Sequence, residues 1–100
     1  MNPVEFLQSW YQAQANGAWE RARGITIETL DTPAWMVTID LAETALNGRT
    51  MVAFQQEHSA SDWLLCEVEH NQFLGQGDSQ KLLAILEVFQ RWATEPAKLE

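Results

Sequence analysis

The sequence predicts an α+β fold: a mostly antiparallel sheet of four to five strands, with an N-terminal and a C-terminal helix packed on one face. Three observations predict it. Apolar residues recur with helical spacing near each end of the 100-residue chain. Between them the period drops to two, in runs rich in β-branched and aromatic residues. Short turn segments separate those runs and favour antiparallel neighbours, because a parallel crossover needs a dozen or more residues. Two helical stripes and one sheet face then close a single core. The other sheet face stays open to solvent or to a partner.

The first helix is expected over about residues 3–15. Asn2 caps it, Pro3 suits the first helical position, and Glu5 stands where a capping box needs a carboxylate. Leu7, Trp10, Tyr11 and Gln14 follow helical spacing, and Asn16-Gly17 ends the run. Ala18 to Arg23 reads as a connector. From Gly24, Ile25 and Ile27 alternate with Thr26 and Glu28. Asp31-Thr32-Pro33 punctuates, and Trp35, Val37, Ile39 and Leu41 alternate with Met36, Thr38 and Asp40, so the two runs read as a hairpin.

Ala42 to Arg49 has room for a short extended piece before the turn Asn47-Gly48. Met51 to Glu57 reads as a third strand, with Val52 and Phe54 on one face, followed by the polar turn His58-Ser59-Ala60-Ser61. The fourth strand, Asp62 to His70, sets Leu64, Cys66 and Val68 on one side and Trp63, Leu65, Glu67 and Glu69 on the other. A short fifth strand is expected around Phe73-Leu74, with Gly75-Gln76-Gly77 breaking the sheet. Asp78 then caps a second helix whose stripe is Leu82, Ile85, Leu86, Phe89 and Trp92. That helix stops before Pro96, and residues 96–100 form a tail. The whole chain, residues 1–100, reads as a single domain.

Composition narrows the function. Five Trp and four Phe within a 46% hydrophobic chain supply a core and argue against disorder. Fourteen acidic residues against six Lys plus Arg give a net charge of −8. Nucleic acid binding needs a basic footprint, and an anionic membrane repels such a chain. A basic protein partner is attracted by it, although the excess acid also serves plain solubility. Cys66 stands alone, so no internal disulfide forms. With no signal peptide apparent after Met1 and no apolar run of membrane-spanning length, a cytoplasmic protein is expected.

Catalytic constellations are weak. Cys66 is in phase with Leu64 and Val68, the position of a buried hydrophobe. His58 and His70 bracket the fourth strand, roughly 35–40 Å apart if the chain between them is extended at ~3.3 Å per residue. No metal-binding spacing is present, and no cofactor is expected. Gly75-Gln76-Gly77 lacks the spacing and the following Lys-Ser or Lys-Thr of a phosphate loop. Asp40, Glu43, Glu67 and Glu69 suit either a solvated acidic face, an acidic docking face or, least well, an acid–base pair. Trp63 is out of phase with the core. Either it stands on the open face beside the acids, as an interface anchor would, or a helix covers it.

Several of these residues carry a family resemblance. Trp19-Glu20, then Gly24-Ile25-x-Ile27-x-Thr29-Leu30-Asp31-x-Pro33-x-Trp35, then Val37-x-Ile39-Asp40-Leu41-x-x-Thr44, resemble the immunity protein 53 family. Asp62-Trp63, Cys66, Phe73, Gly75-x-Gly77 and the Trp-containing last helix are also similar. Thr32 and Ala34 depart from the family's Asn-Pro-Gly turn. The resemblance implies an immunity protein of a bacterial polymorphic toxin system, which binds a cognate toxin domain. It brings no binding residues with it. The expectation is a non-enzymatic inhibitor, a monomer or weak homodimer, that occludes the active site of a toxin such as a nuclease. Its expected docking residues are Trp63, Glu67, Glu69, Glu28, Asp40 and Glu43. The alternatives are a small enzyme using Cys66 or a carboxylate pair, and a homo-oligomeric interaction domain.

Overall fold

The computed structural model describes residues 1–96. Helix α1 (Pro3–Gln14) opens on a complete capping box: Glu5 N–H donates to Asn2 Oδ1 at 2.8 Å, and Asn2 N–H donates to Glu5 Oε1 at 3.2 Å. Five strands follow, β1 (Ile25–Leu30), β2 (Ala34–Asp40), β3 (Phe54–Ser59), β4 (Asp62–Glu69) and β5 (Gln72–Asp78). They form one antiparallel sheet in the order β1-β2-β5-β4-β3. The last strand in sequence therefore enters the middle of the sheet, between two hairpins.

Both main helices lie on one face, as the amphipathic stripes require. Helix α3 (Leu82–Thr94) buries Ile85, Leu86, Phe89 and Trp92. Helix α1 adds Leu7 and Trp10. Against them the sheet presents Val37, Ile39, Phe73, Leu64 and Cys66, all in one phase of the strands. Phe89 sits at the centre, with edge-on contacts to Trp10 at 5.3 Å and Phe73 at 5.1 Å between centroids.

Several boundaries differ from the sequence expectation. The connector contains a one-turn helix, α2 (Trp19–Ala22). It forms because Asn16 Oδ1 accepts the N–H groups of Ala18 and Trp19, and the Glu20 carboxylate grips the N–H groups of Asn16 and Gly17. Its own backbone N–H first, and then those of Asn16 and Gly17, hold the Glu20 carboxyl below its ordinary range. Residues 42–49 are turns, not an extended piece. The third strand starts at Phe54 and runs through His58 to Ser59, which leaves Val52 90% exposed outside it. His58 thus belongs to β3 rather than to an end of β4.

The largest correction concerns the glycines. Gly75 and Gly77 lie inside β5. A Cβ on Gly75 would strike the Ile85 side chain, and one on Gly77 would meet Lys81 Cβ at 2.5 Å. The missing side chains let α3 lie against the central strand, so these glycines join helix to sheet instead of ending the strand. Asp78 is correspondingly the last residue of β5, and α3 starts four residues later. α3 ends at Thr94, ahead of Pro96 as expected; the rest of the expected tail, residues 97–100, lies outside the described residues.

Candidate functional site

The open face of the sheet is built by the alternate residues of all five strands. Antiparallel register places them in rows. One row reads Glu28, Met36, Gln76, Leu65, Gln55 from edge to edge. The next reads Thr26, Thr38, Leu74, Glu67, and a third reads Asp40, Gln72, Glu69. At the opposite end Trp63 stands beside Glu57. Among the described residues no helix covers this face, because α3 and α1 pack on the other phase of the strands.

Its chemistry is an apolar centre with an acidic border. Met36, Leu65, Leu74 and Trp63 are each half-buried. Glu28, Glu57 and Glu69 are exposed, and Glu67 is half-buried. Among the described residues no Lys or Arg pairs with any of the four; Glu69 has only His70, at 3.6 Å. A hollow of about 330 Å³ lies beside Trp63, with Gln55, Glu57, Ala60 and Leu65 among its walls.

The expected docking residues divide into two groups. Trp63, Glu67, Glu69 and Glu28 all lie on the open face. Trp63 is therefore the uncovered one of its two alternatives. Asp40 is only 8% exposed, and its side chain is spent internally: Oδ1 accepts the Ala42 N–H at 3.1 Å and closes the turn after β2. Glu43 lies in that turn with φ +64, exposed but off the sheet. The sequence reading missed Glu57, Met36 and Leu74. Each stands out of phase with the core, but only the strand pairing sets Glu57 opposite Trp63, Leu74 opposite Glu67, and Met36 in the row of Gln76 and Leu65.

Other chemistry is sparse. Cys66 is fully buried between Phe54 and Gly75, and burial pushes its thiol up to about 12. It stays protonated at neutral pH, unlike an activated nucleophile. Among the described residues no three His, Cys, Asp or Glu side chains gather as a metal site. A larger cleft, about 710 Å³, opens between α3 and residues 48–54. Its Arg49 is already engaged: it donates to the carbonyls of Trp92 and Glu95 and lies over the Trp92 ring at 5.0 Å.

Several residues that carry the family resemblance do internal work. Trp19 is 2% exposed, and its indole N–H donates to the Asp40 carbonyl at 2.9 Å. The Trp35 indole N–H donates to the Ser79 carbonyl at 3.1 Å. Gly24 takes φ +54 at the entry to β1, and Thr44 Oγ1 donates to the Leu41 carbonyl at 2.8 Å. The family model described as immunity protein 53 matches residues 4–94, from the first turn of α1 to the last residue of α3. The chain belongs to the immunity protein 53 family. Membership implies an immunity protein that acts against a toxin. No curated protein and no solved structure shows a significant match to the chain. Among the described residues no helix is long and apolar enough to cross a membrane.

Proposed function

We propose that this chain, acting as one immunity domain over residues 1–100, neutralises a cognate toxin of a bacterial polymorphic toxin system by docking the open face of its sheet onto the toxin's active site. The supporting observation is the arrangement of that face: Met36, Leu65, Leu74 and Trp63 ringed by four carboxylates without basic partners among the described residues. Apolar area at the centre and charge at the rim is how protein interfaces are built. Such a rim selects a partner with a basic surface and speeds their encounter.

A nuclease fits this chemistry, since its groove is basic where phosphates bind, and carboxylates spaced along strands occupy the same positive sites. The partner is protein rather than nucleic acid or membrane, because both of those are anionic. The inhibitor acts in the cytoplasm, by occlusion and without catalysis or a cofactor. Its recognition residues are Trp63, Glu67, Glu69 and Glu28, extended by Glu57. Asp40, whose side chain closes the turn after β2, and Glu43, in that turn off the sheet, stand at the margin of this face.

Association kinetics with the cognate toxin domain test the reading. Glu67→Lys with Glu69→Lys is expected to slow association about tenfold or more at low salt and to flatten its salt dependence. Unchanged rates and unchanged protection of toxin-expressing cells would reject this face.

A further inference from the structure

Strand β1 borders the sheet and, among the described residues, pairs only with β2. The Asp40 N–H donates to the Gly24 carbonyl at 3.0 Å, which sets the alternation along the strand. Gly24, Thr26, Glu28 and Leu30 aim their backbone groups at β2, and Ile25, Ile27 and Thr29 aim theirs at the free edge. Sheet edges are usually blunted by lysine, proline or a bulge. The other edge, β3, has a register shift between Glu57 and Ser59. β1 has no such guard: Ile25-Thr26-Ile27-Glu28-Thr29-Leu30 contains no Lys, Arg, Pro or Gly and keeps one register throughout. Ile27 is 42% exposed on it.

We propose that β1 pairs antiparallel with β1 of a second copy of this chain, about a two-fold axis beside Ile27, so that the two sheets become one. A closed two-fold pair keeps each sheet face continuous, so the axis must pass between one residue and its own counterpart. An axis at Glu28 sets two carboxylates opposite each other at a non-hydrogen-bonded site, where Cα atoms approach to about 4.5 Å. An axis at Thr26 overlaps only residues 25–27 of the strands. The axis at Ile27 overlaps residues 25–29 and places Ile27 against the partner's Ile27. Their outward N–H and C=O groups then satisfy each other reciprocally. Thr26 faces the partner's Glu28, a hydroxyl beside a carboxylate. Just outside the strand, exposed Arg23 of one copy and exposed Asp31 of the other come to the same end of the overlap, twice by symmetry.

So short an edge contact falls at the small end of protein interfaces, with an expected Kd of roughly 10 µM to 1 mM. Sedimentation velocity over that range is expected to show the chain passing from monomer to dimer. Ile27→Lys, with its circular dichroism unchanged, is expected to stay monomeric. Ile27→Cys is expected to oxidise to a linked dimer faster than the control cysteines, because the Cα atoms of a hydrogen-bonded pair lie about 5.5 Å apart, inside the disulfide range, and the Cβ atoms need close by only about 1 Å. Glu28→Cys and Val52→Cys are expected to cross-link far more slowly, although Val52 is 90% exposed. A chain that stays monomeric at about 1 mM overturns the proposal. So does a dimer that survives Ile27→Lys, or cross-linking of Glu28→Cys or Val52→Cys as fast as that of Ile27→Cys. None of these readouts involves the toxin, so their failure is separate from failure of the proposed docking face.

Discussion

The two faces of the sheet come from the same strands and treat their side chains in opposite ways. On the helix side polar groups are spent on the fold itself: the indole N–H groups of Trp19, Trp35 and Trp92 donate to the carbonyls of Asp40, Ser79 and Thr50. On the open side Glu28, Glu57, Glu67 and Glu69 meet no Lys or Arg among the described residues. The most specific part of the family resemblance, Trp19 to Leu41, draws its buried members from the first face and its margins. The buried part of that stretch thus builds the scaffold, whereas partner recognition, as proposed, lies on the opposite face, where Trp63 also carries part of the resemblance.

Truncating a side chain on each face gives the widest contrast. Trp19→Ala removes a ring that is 2% exposed, its edge contact with Trp10 and its bond to Asp40. It is expected to cost about 3–5 kcal/mol in urea unfolding. Gly75→Ala comes next, at about 1–3 kcal/mol, because the new methyl group lands on Ile85 and α3 must shift. Gln76→Ala, one residue along and on the open face, is expected to change stability by no more than about 0.5 kcal/mol. Equal costs for Gly75→Ala and Gln76→Ala would erase the distinction between the faces.

A pH-dependent effect belongs to the corner where the faces meet. Asp78 accepts the N–H of Trp63 at 2.8 Å, the N–H of Gln80 at 2.9 Å and Lys81 Nζ at 2.8 Å. The bond from Lys81, then that from Gln80, lowers its carboxyl to about 2. Since the folded value lies below the unfolded one of about 3.9, the stabilisation is complete above that pH and is lost as pH falls toward 2. Lys81 is raised, first by Asp62 and then by Asp78, so its share is present at neutral pH and fades only above its ordinary alkaline range. Acid titration of Asp78→Asn is expected to show a shallower loss of stability below pH ~4 than the parent chain.

Much of this contrast was legible in the sequence. Asn2-Pro3-Val4-Glu5 announces α1, and the strict alternation of β2 and β4 separates Trp63, Glu67 and Glu69 from Leu64, Cys66 and Val68. β5 was misread because glycine usually ends a strand, while here the absence of Cβ at Gly75 and Gly77 is what α3 packs against. Asp78 resembles a helix cap, but its carboxylate is drawn to Lys81 and Trp63 across the corner. Val52 fits a strand pattern, yet Met51 and Arg49 are the residues that tie their loop to the core and to α3. The docking patch was only half visible, because local spacing does not reveal that β5 enters between β2 and β4 and so sets Leu74 opposite Glu67 and puts Met36, Gln76 and Leu65 in one row.

The affinity of Trp63→Ala for the cognate toxin domain tests the division between the faces most directly. Trp63 is half-buried on the open face, so the variant is expected to keep the parent's Tm within a few degrees. Its affinity is expected to fall by about 2 kcal/mol or more, roughly thirtyfold, as for an interface anchor. Parental affinity in this folded variant would contradict the account, and would place toxin recognition on another surface of the molecule.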